Sequence, residues 1–282
     1  MALFDFFGTP EELRWFAIIF FGSLIPATGI AGILHRRNPL PLPGQRGYDF
    51  VVLGLGLWCM TGLLIDVWAH TNGEVDDSFF TKWHAVWYSG ATAYSAFILF
   101  ALWRLAEAPP KITPSELWKF VTNVPKGYGA SVAGIAIFGF SGFADMLWHS
   151  FFGIEGGLDI LLSPSHLGLL IGLILTVMAP VFSGWQDPLS GKDGLTSQLV
   201  LIFGLSAAWV PILLITGQWD IFQLEIADYC YLGNNCGPGY EDSLAIGVVA
   251  SMVPTTIATG LILTFARRWT PAPGAMLVLF LF

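Results

Sequence analysis

Charge is what this chain has least of. Only 11% of its 282 residues are Asp, Glu, Lys or Arg, and 55% are hydrophobic. Soluble domains carry about 25% charged residues. With a mean hydropathy of +0.67, that scarcity excludes an ordinary soluble domain and predicts an integral membrane protein. Positive charge is scarcer still, 12 Lys and Arg against 20 Asp and Glu, for a net charge of −8. No basic stripe exists to neutralise phosphates, so nucleic acid is not an expected partner. The opening residues "MALFDFFGTPEELRW" lack a basic n-region and carry acids instead. A cleavable signal peptide is therefore not expected, and the first apolar run reads as a membrane anchor. No nucleophile–base arrangement and no phosphate-binding glycine loop stands out. The glycines of "GLGLWCMTG" lie within an apolar run, where they permit close helix packing.

What is present is apolar runs long enough to cross about 30 Å of hydrocarbon. They lie near 15–34, 48–69, 83–104, 128–149, 164–184, 197–217 and 243–266. The expected fold is an all-α integral membrane protein of about seven transmembrane helices, one polytopic domain over residues 1–282 in contact with membrane lipid. An eighth helix can begin at "PAPGAMLVLFLF", where Pro271 and Pro273 suit a helix start.

Basic residues set the expected topology. Arg36, Arg37, Arg46, Arg104, Lys111, Lys119, Lys126, Lys192, Arg267 and Arg268 fall on the side opposite the N-terminus, and only Arg14 and Lys82 fall on the N-terminal side. The basic side reads as cytoplasmic, in the cytoplasmic membrane of a prokaryote. The N-terminus and the acidic loops then face outward. Cys230 and Cys236 share one outward loop, "DYCYLGNNCGPGY", and read as a disulfide. Cys59, inside the second helix, reads as core packing.

One polar pattern interrupts the apolar text, and it occurs twice. Residues 66–84 read "DVWAHTNGEVDDSFFTKWH" and residues 145–166 read "DMLWHSFFGIEGGLDILLSPSH". Each begins with an aspartate and a histidine four apart, Asp66 and His70, then Asp145 and His149. Each continues with a glutamate (Glu74, Glu155) and an aspartate seven residues before a second histidine: Asp77 before His84, Asp159 before His166. Thr81 or Ser163 stands three residues before that histidine, and Gly90 or Gly172 six after it. So many matched offsets indicate an internal duplication of a helix–loop–helix unit, over about 48–106 and 128–184. The two units have the same orientation, and a pseudo-twofold along the membrane normal would let them face each other.

The i, i+4 spacing stacks each Asp–His pair on one helix face. Thr81 and Ser163 are natural N-caps, with Pro164 at N1. The second histidine of each set then sits in the first turn of the returning helix, close to the departing pair. Ionisable groups at membrane depth are costly and usually functional. One aspartate and two histidines make a three-ligand metal site: Asp66, His70 and His84, and again Asp145, His149 and His166. Imidazole and carboxylate together suit copper, zinc or iron. Glu74, Asp77, Glu155 and Asp159 are candidates to support the ligands from behind. Two alternatives stay open. An Asp–His pair near a helix end also suits a hydrogen-bonded polar cap at the lipid interface, beside a belt of tryptophans (Trp68, Trp83, Trp87, Trp148). Single histidines can also ligate haem or a chlorin. His35, in "LHRRNPLPLPGQR", reads as a solvated loop residue.

Asp-x3-His followed by a second histidine resembles the copper-site motif in the C subunit of particulate methane and ammonia monooxygenases. Asp66, His70 and His84 match it with 13 residues between the histidines, and Asp145, His149 and His166 with 16. The resemblance covers these segments alone, and that subunit carries one such motif where this chain carries two. It implies copper, and a role in or beside a membrane oxidation complex with other membrane subunits or further copies of the chain, as part of a copper-dependent oxidoreductase. Metal uptake or handling at the outer face is the second reading. A structural subunit of a respiratory or photosynthetic complex, binding haem or pigment, is the third.

Overall fold

A computed structural model describes residues 8–45, 47–74, 78–106, 113–152, 163–216 and 240–281. Every regular element among them is a helix. Six are long and apolar enough to cross a membrane, and a bent pair counts as a seventh. The fold is an all-α membrane protein.

The described chain forms two compact units, residues 1–188 and 189–282. The first opens with α1, Pro10–Arg37. It starts earlier than its apolar run because Thr9 and Glu12 form a capping box with Pro10 in the first turn. Two helical hairpins follow. The first pairs α2 (Tyr48–Thr71) with α3 (Lys82–Leu105). The second pairs α5 (Gly129–Phe152) with α6 (Pro164–Val177). Between them lies α4, Pro114–Thr122, capped by Thr113. It carries Lys119 and lies between the long apolar runs.

The expected single helix over 164–184 is broken. It becomes α6 and α7 (Ala179–Gln186), bent by 40° at Met178. Pro180 has no N–H to donate to the carbonyl four residues back, and its ring crowds that carbonyl.

Glycines set how close each hairpin closes, and they do so at duplicated positions. A Cβ on Gly90 would lie 2.7 Å from Cys59 Cα, and one on Gly172 would lie 2.6 Å from the Phe138 backbone nitrogen. Cys59 and Phe138 each stand seven residues before their hairpin's aspartate. Gly62 adds a second close approach, 2.6 Å from Trp87 Cα. Cys59 is a buried free thiol in this contact.

The hairpins also touch each other. Tyr128 and Tyr48, near the starts of α5 and α2, share a hydrogen bond of 3.3 Å. Midway, Trp87 and Tyr88 pack on Phe138, with ring centroids 5.7 and 5.9 Å apart.

In the second unit, α8 (Leu195–Thr216) and α9 (Tyr240–Arg268) are the long helices. Buried Gln198 donates to the carbonyls of Gly191 and Thr270, and its carbonyl accepts from Ala272, each at 2.9 Å. The expected eighth helix is α10, Ala275–Leu279. It begins after Gly274, whose φ is +86°, and five residues are too few to span.

Gly90→Ala or Gly172→Ala should destabilise the protein by roughly 1–3 kcal/mol, because the methyl group meets backbone. Gly54→Ala, with nothing within 4 Å, should not. Thermal unfolding of the detergent-solubilised variants checks this, and equal melting of all three would contradict the close-contact account.

Candidate metal centre

Each trio is assembled at the loop end of its hairpin. Asp66 and His70 stand one turn apart near the end of α2, and His84 is in the first turn of α3. Asp66 Oδ2 lies 3.8 Å from His70 Nε2, and its Oδ1 lies 3.6 Å from His84 Nε2. In the second hairpin, Asp145 Oδ1 lies 3.5 Å from both His149 Nε2 and His166 Nδ1. The ligand-capable atoms of each trio fall within 4.8 Å of one another. Both aspartates are buried, Asp66 at 5% exposure and Asp145 at 1%.

The caps act as the sequence suggested. Thr81 Oγ1 accepts from the His84 backbone N–H at 2.9 Å, and Ser163 Oγ accepts from that of His166 at 3.3 Å. Each cap fixes where the returning helix begins, and so where its histidine points.

Proton counting assigns the tautomers. His84 Nδ1 is 2.6 Å from the Phe79 carbonyl oxygen. A carbonyl only accepts, so Nδ1 carries the hydrogen and Nε2 presents its lone pair to Asp66. In the second trio, Ser165 Oγ donates to Asp145 Oδ1 at 2.9 Å, which commits the Ser165 proton. The 3.1 Å contact between Ser163 and Ser165 must then use the Ser163 proton. The 2.7 Å contact between Ser163 Oγ and His166 Nδ1 is left with the ring N–H as donor. His166 is therefore also an Nδ1–H tautomer with a free Nε2. Both returning histidines are held by one nitrogen and left able to ligate through the other, as in protein metal sites.

The separations can be set beside those that a proton and a metal would impose. A charge-assisted hydrogen bond would draw donor and acceptor to about 2.7–2.9 Å. A tetrahedral metal with bonds near 2.0–2.1 Å holds its ligand atoms about 3.3 Å apart. The separations from the carboxylate oxygens to Nε2 of His70, His84 and His149, 3.5–3.8 Å, lie beyond the first and near the second. Asp66 Oδ1 and Asp145 Oδ2 have no hydrogen-bond partner among the described residues. A buried carboxylate oxygen without a donor is expensive unless a cation faces it.

The trios adjoin. Ring centroids run 5.8 Å from His70 to His84, 6.4 Å from His84 to His149 and 5.3 Å from His149 to His166. His84 and His149 bring the two hairpins' histidines together, and Tyr88 packs its ring 5.9 Å from His84.

Of the four residues expected to support the ligands, only Glu74 is described. Glu74 is exposed, and its carbonyl rather than its carboxylate is engaged, by the Trp83 indole at 2.7 Å. Among the described residues, the Phe79 carbonyl, Ser163 and Ser165 bond to the members of the trios. Ser165, one residue before His166 in "SPSH", was the readable signal, and a carbonyl acceptor leaves none. Asp77, Glu155, Asp159, Cys230 and Cys236 lie outside the described residues. His35 Nδ1 accepts from the Leu40 N–H at 3.1 Å, remote in sequence from both trios.

Compared with protein-family models, curated proteins and solved structures, the chain matches none.

The buried aspartates should cost stability until a cation arrives. In metal-free protein, Asp66→Asn/Asp145→Asn should unfold no earlier than the unsubstituted chain. Copper at about 100 times its Kd should stabilise the unsubstituted chain by about 2.7 kcal/mol per site and the double variant not at all. Differential scanning calorimetry with and without copper reads both, and equal stabilisation of the two proteins would contradict a carboxylate-held cation.

Proposed function

We propose that this protein holds copper in two adjoining carboxylate–imidazole sites within a membrane, in or beside an oxidation complex. The observation that carries the reading is the pair of matched trios, with separations of 3.5–3.8 Å from the carboxylate oxygens to Nε2 of His70, His84 and His149. Three protein ligands leave coordination positions open for an exogenous molecule, as reactive metal sites require.

Two features favour copper over zinc or iron. Among first-row divalent ions, copper binds nitrogen and oxygen ligand sets most tightly. The resemblance of both motifs to the copper-site motif of the monooxygenase C subunit supports the same metal. By the distribution of basic residues, the sites face outward from the cytoplasmic membrane of a prokaryote.

Transport is the weaker reading. A path through the span would need polar groups along its length. Outside the trios, buried Ser89 and Thr176 bond back to their own helices, at 2.8 and 2.7 Å. Haem or pigment ligation is weaker too, because the imidazole nitrogens face carboxylate oxygens where a macrocyclic metal would have to stand.

Metal analysis of purified protein after copper loading should find two equivalents per chain. His70→Ala and His149→Ala should each lower that number by about one, and His35→Ala should leave it unchanged. Unchanged copper in a His70→Ala/His149→Ala double variant would make the trios polar caps and not metal sites.

A further inference from the structure

The duplicated trios are not equivalent. In the second trio, ligand is tied to ligand. The chain of donors runs from His166 Nδ1–H to Ser163 Oγ, on to Ser165 Oγ and to Asp145 Oδ1, over 2.7, 3.1 and 2.9 Å. It fixes the imidazole and the carboxylate relative to each other before any metal arrives. In the first trio the position of Ser165 is taken by Trp83, whose indole turns away to the Glu74 carbonyl. Asp66 Oδ1, unlike Asp145 Oδ1, accordingly has no donor, and neither does His70 Nδ1 have a partner, among the described residues. Enclosure differs in the same sense at the departing pair, although the returning His166, at 11% exposure, is more open than His84 at 2%. The side chains of Asp145 and His149 are each 1% exposed, whereas Asp66 is 7% and His70 15% exposed.

A ligand fixed by hydrogen bonds loses less freedom on binding a metal and holds it longer, and such supporting bonds are worth about 10–100-fold in metal affinity. Exposure governs how readily a competing ligand reaches the metal. Resting on the copper-binding reading above, the geometry points to two sites of unequal exchange: Asp66, His70 and His84 form an exchangeable site, and Asp145, His149 and His166 form a retaining site. Ser165 is the positioning residue that makes the difference. The 6.4 Å approach of the His84 and His149 rings places the exchangeable site beside the retaining one.

The test uses the full chain in detergent, loaded with copper and mixed with excess water-soluble copper chelator. Release should be biphasic, with one equivalent leaving at least about 10-fold faster than the other. His70→Ala should abolish the fast phase and leave the slow one, and His149→Ala should do the reverse. Ser165→Ala should still bind two equivalents but release the slow one about 10–100-fold faster, and Ser165→Thr, which keeps a hydroxyl, should restore slow release. A single release phase in the unsubstituted protein, a slow phase surviving in His149→Ala, or slow release unaltered in Ser165→Ala would overturn the inference. These outcomes stand apart from failure of the copper reading itself, in which no copper is bound to release.

Discussion

A carboxylate buried at the end of a membrane helix is hard to keep. Water solvates it poorly there, and hydrocarbon does not solvate it at all. Asp66 and Asp145 are both in that position, and most of what distinguishes this chain from a plain bundle of apolar helices can be traced to them. Each departing helix carries its own histidine one turn further on. Each loop ends in a hydroxyl cap that starts the returning helix where a second histidine will face the carboxylate. Duplicated glycines close each hairpin until backbone meets backbone, which leaves no slack between the two helices that bear the ligands. The remaining imbalance, one negative charge against two neutral rings, is what a cation would correct in the proposed sites.

The arrangement sacrifices stability for a site. An apolar pair in place of Asp66 or Asp145 would suit the surroundings better in the absence of metal. Neutral imidazoles do not offset the carboxylate charge, and the donors that reach it differ between the copies. Ser165 supplies one to Asp145, and Asp66 Oδ1 receives none among the described residues. Groups placed against their own solvation preference are the usual mark of a functional constellation, because local rules are broken where function requires it.

Much of this was legible in the sequence because the relevant spacings are short and rigid. Four residues on a helix fix a shared face, so Asp66 with His70 and Asp145 with His149 could be paired without a structure. A Ser or Thr three residues before a histidine places that histidine in a first turn. Gly90 and Gly172 were visible as matched positions, although not what they touch. The parts that were not legible depend on groups that one-letter text does not distinguish. The carbonyl of Phe79 orients His84, and any residue there would offer the same acceptor. The bend at Met178 follows from Pro180, yet the apolar run crosses it unbroken. The helix Pro114–Thr122 is short and lies between the long apolar runs, where no spanning pattern marks it. The early start of the first helix was written in "TPEE" as a capping box and outweighed by the apolar run that begins after it.

Extended X-ray absorption fine structure on the copper-loaded chain tests the central claim most directly, because it reports the metal's own neighbours. The account expects nitrogen and oxygen neighbours near 2.0 Å, with the outer-shell scattering of about two imidazoles per copper. A spectrum dominated by sulfur, or by oxygen with no imidazole signature, would contradict it.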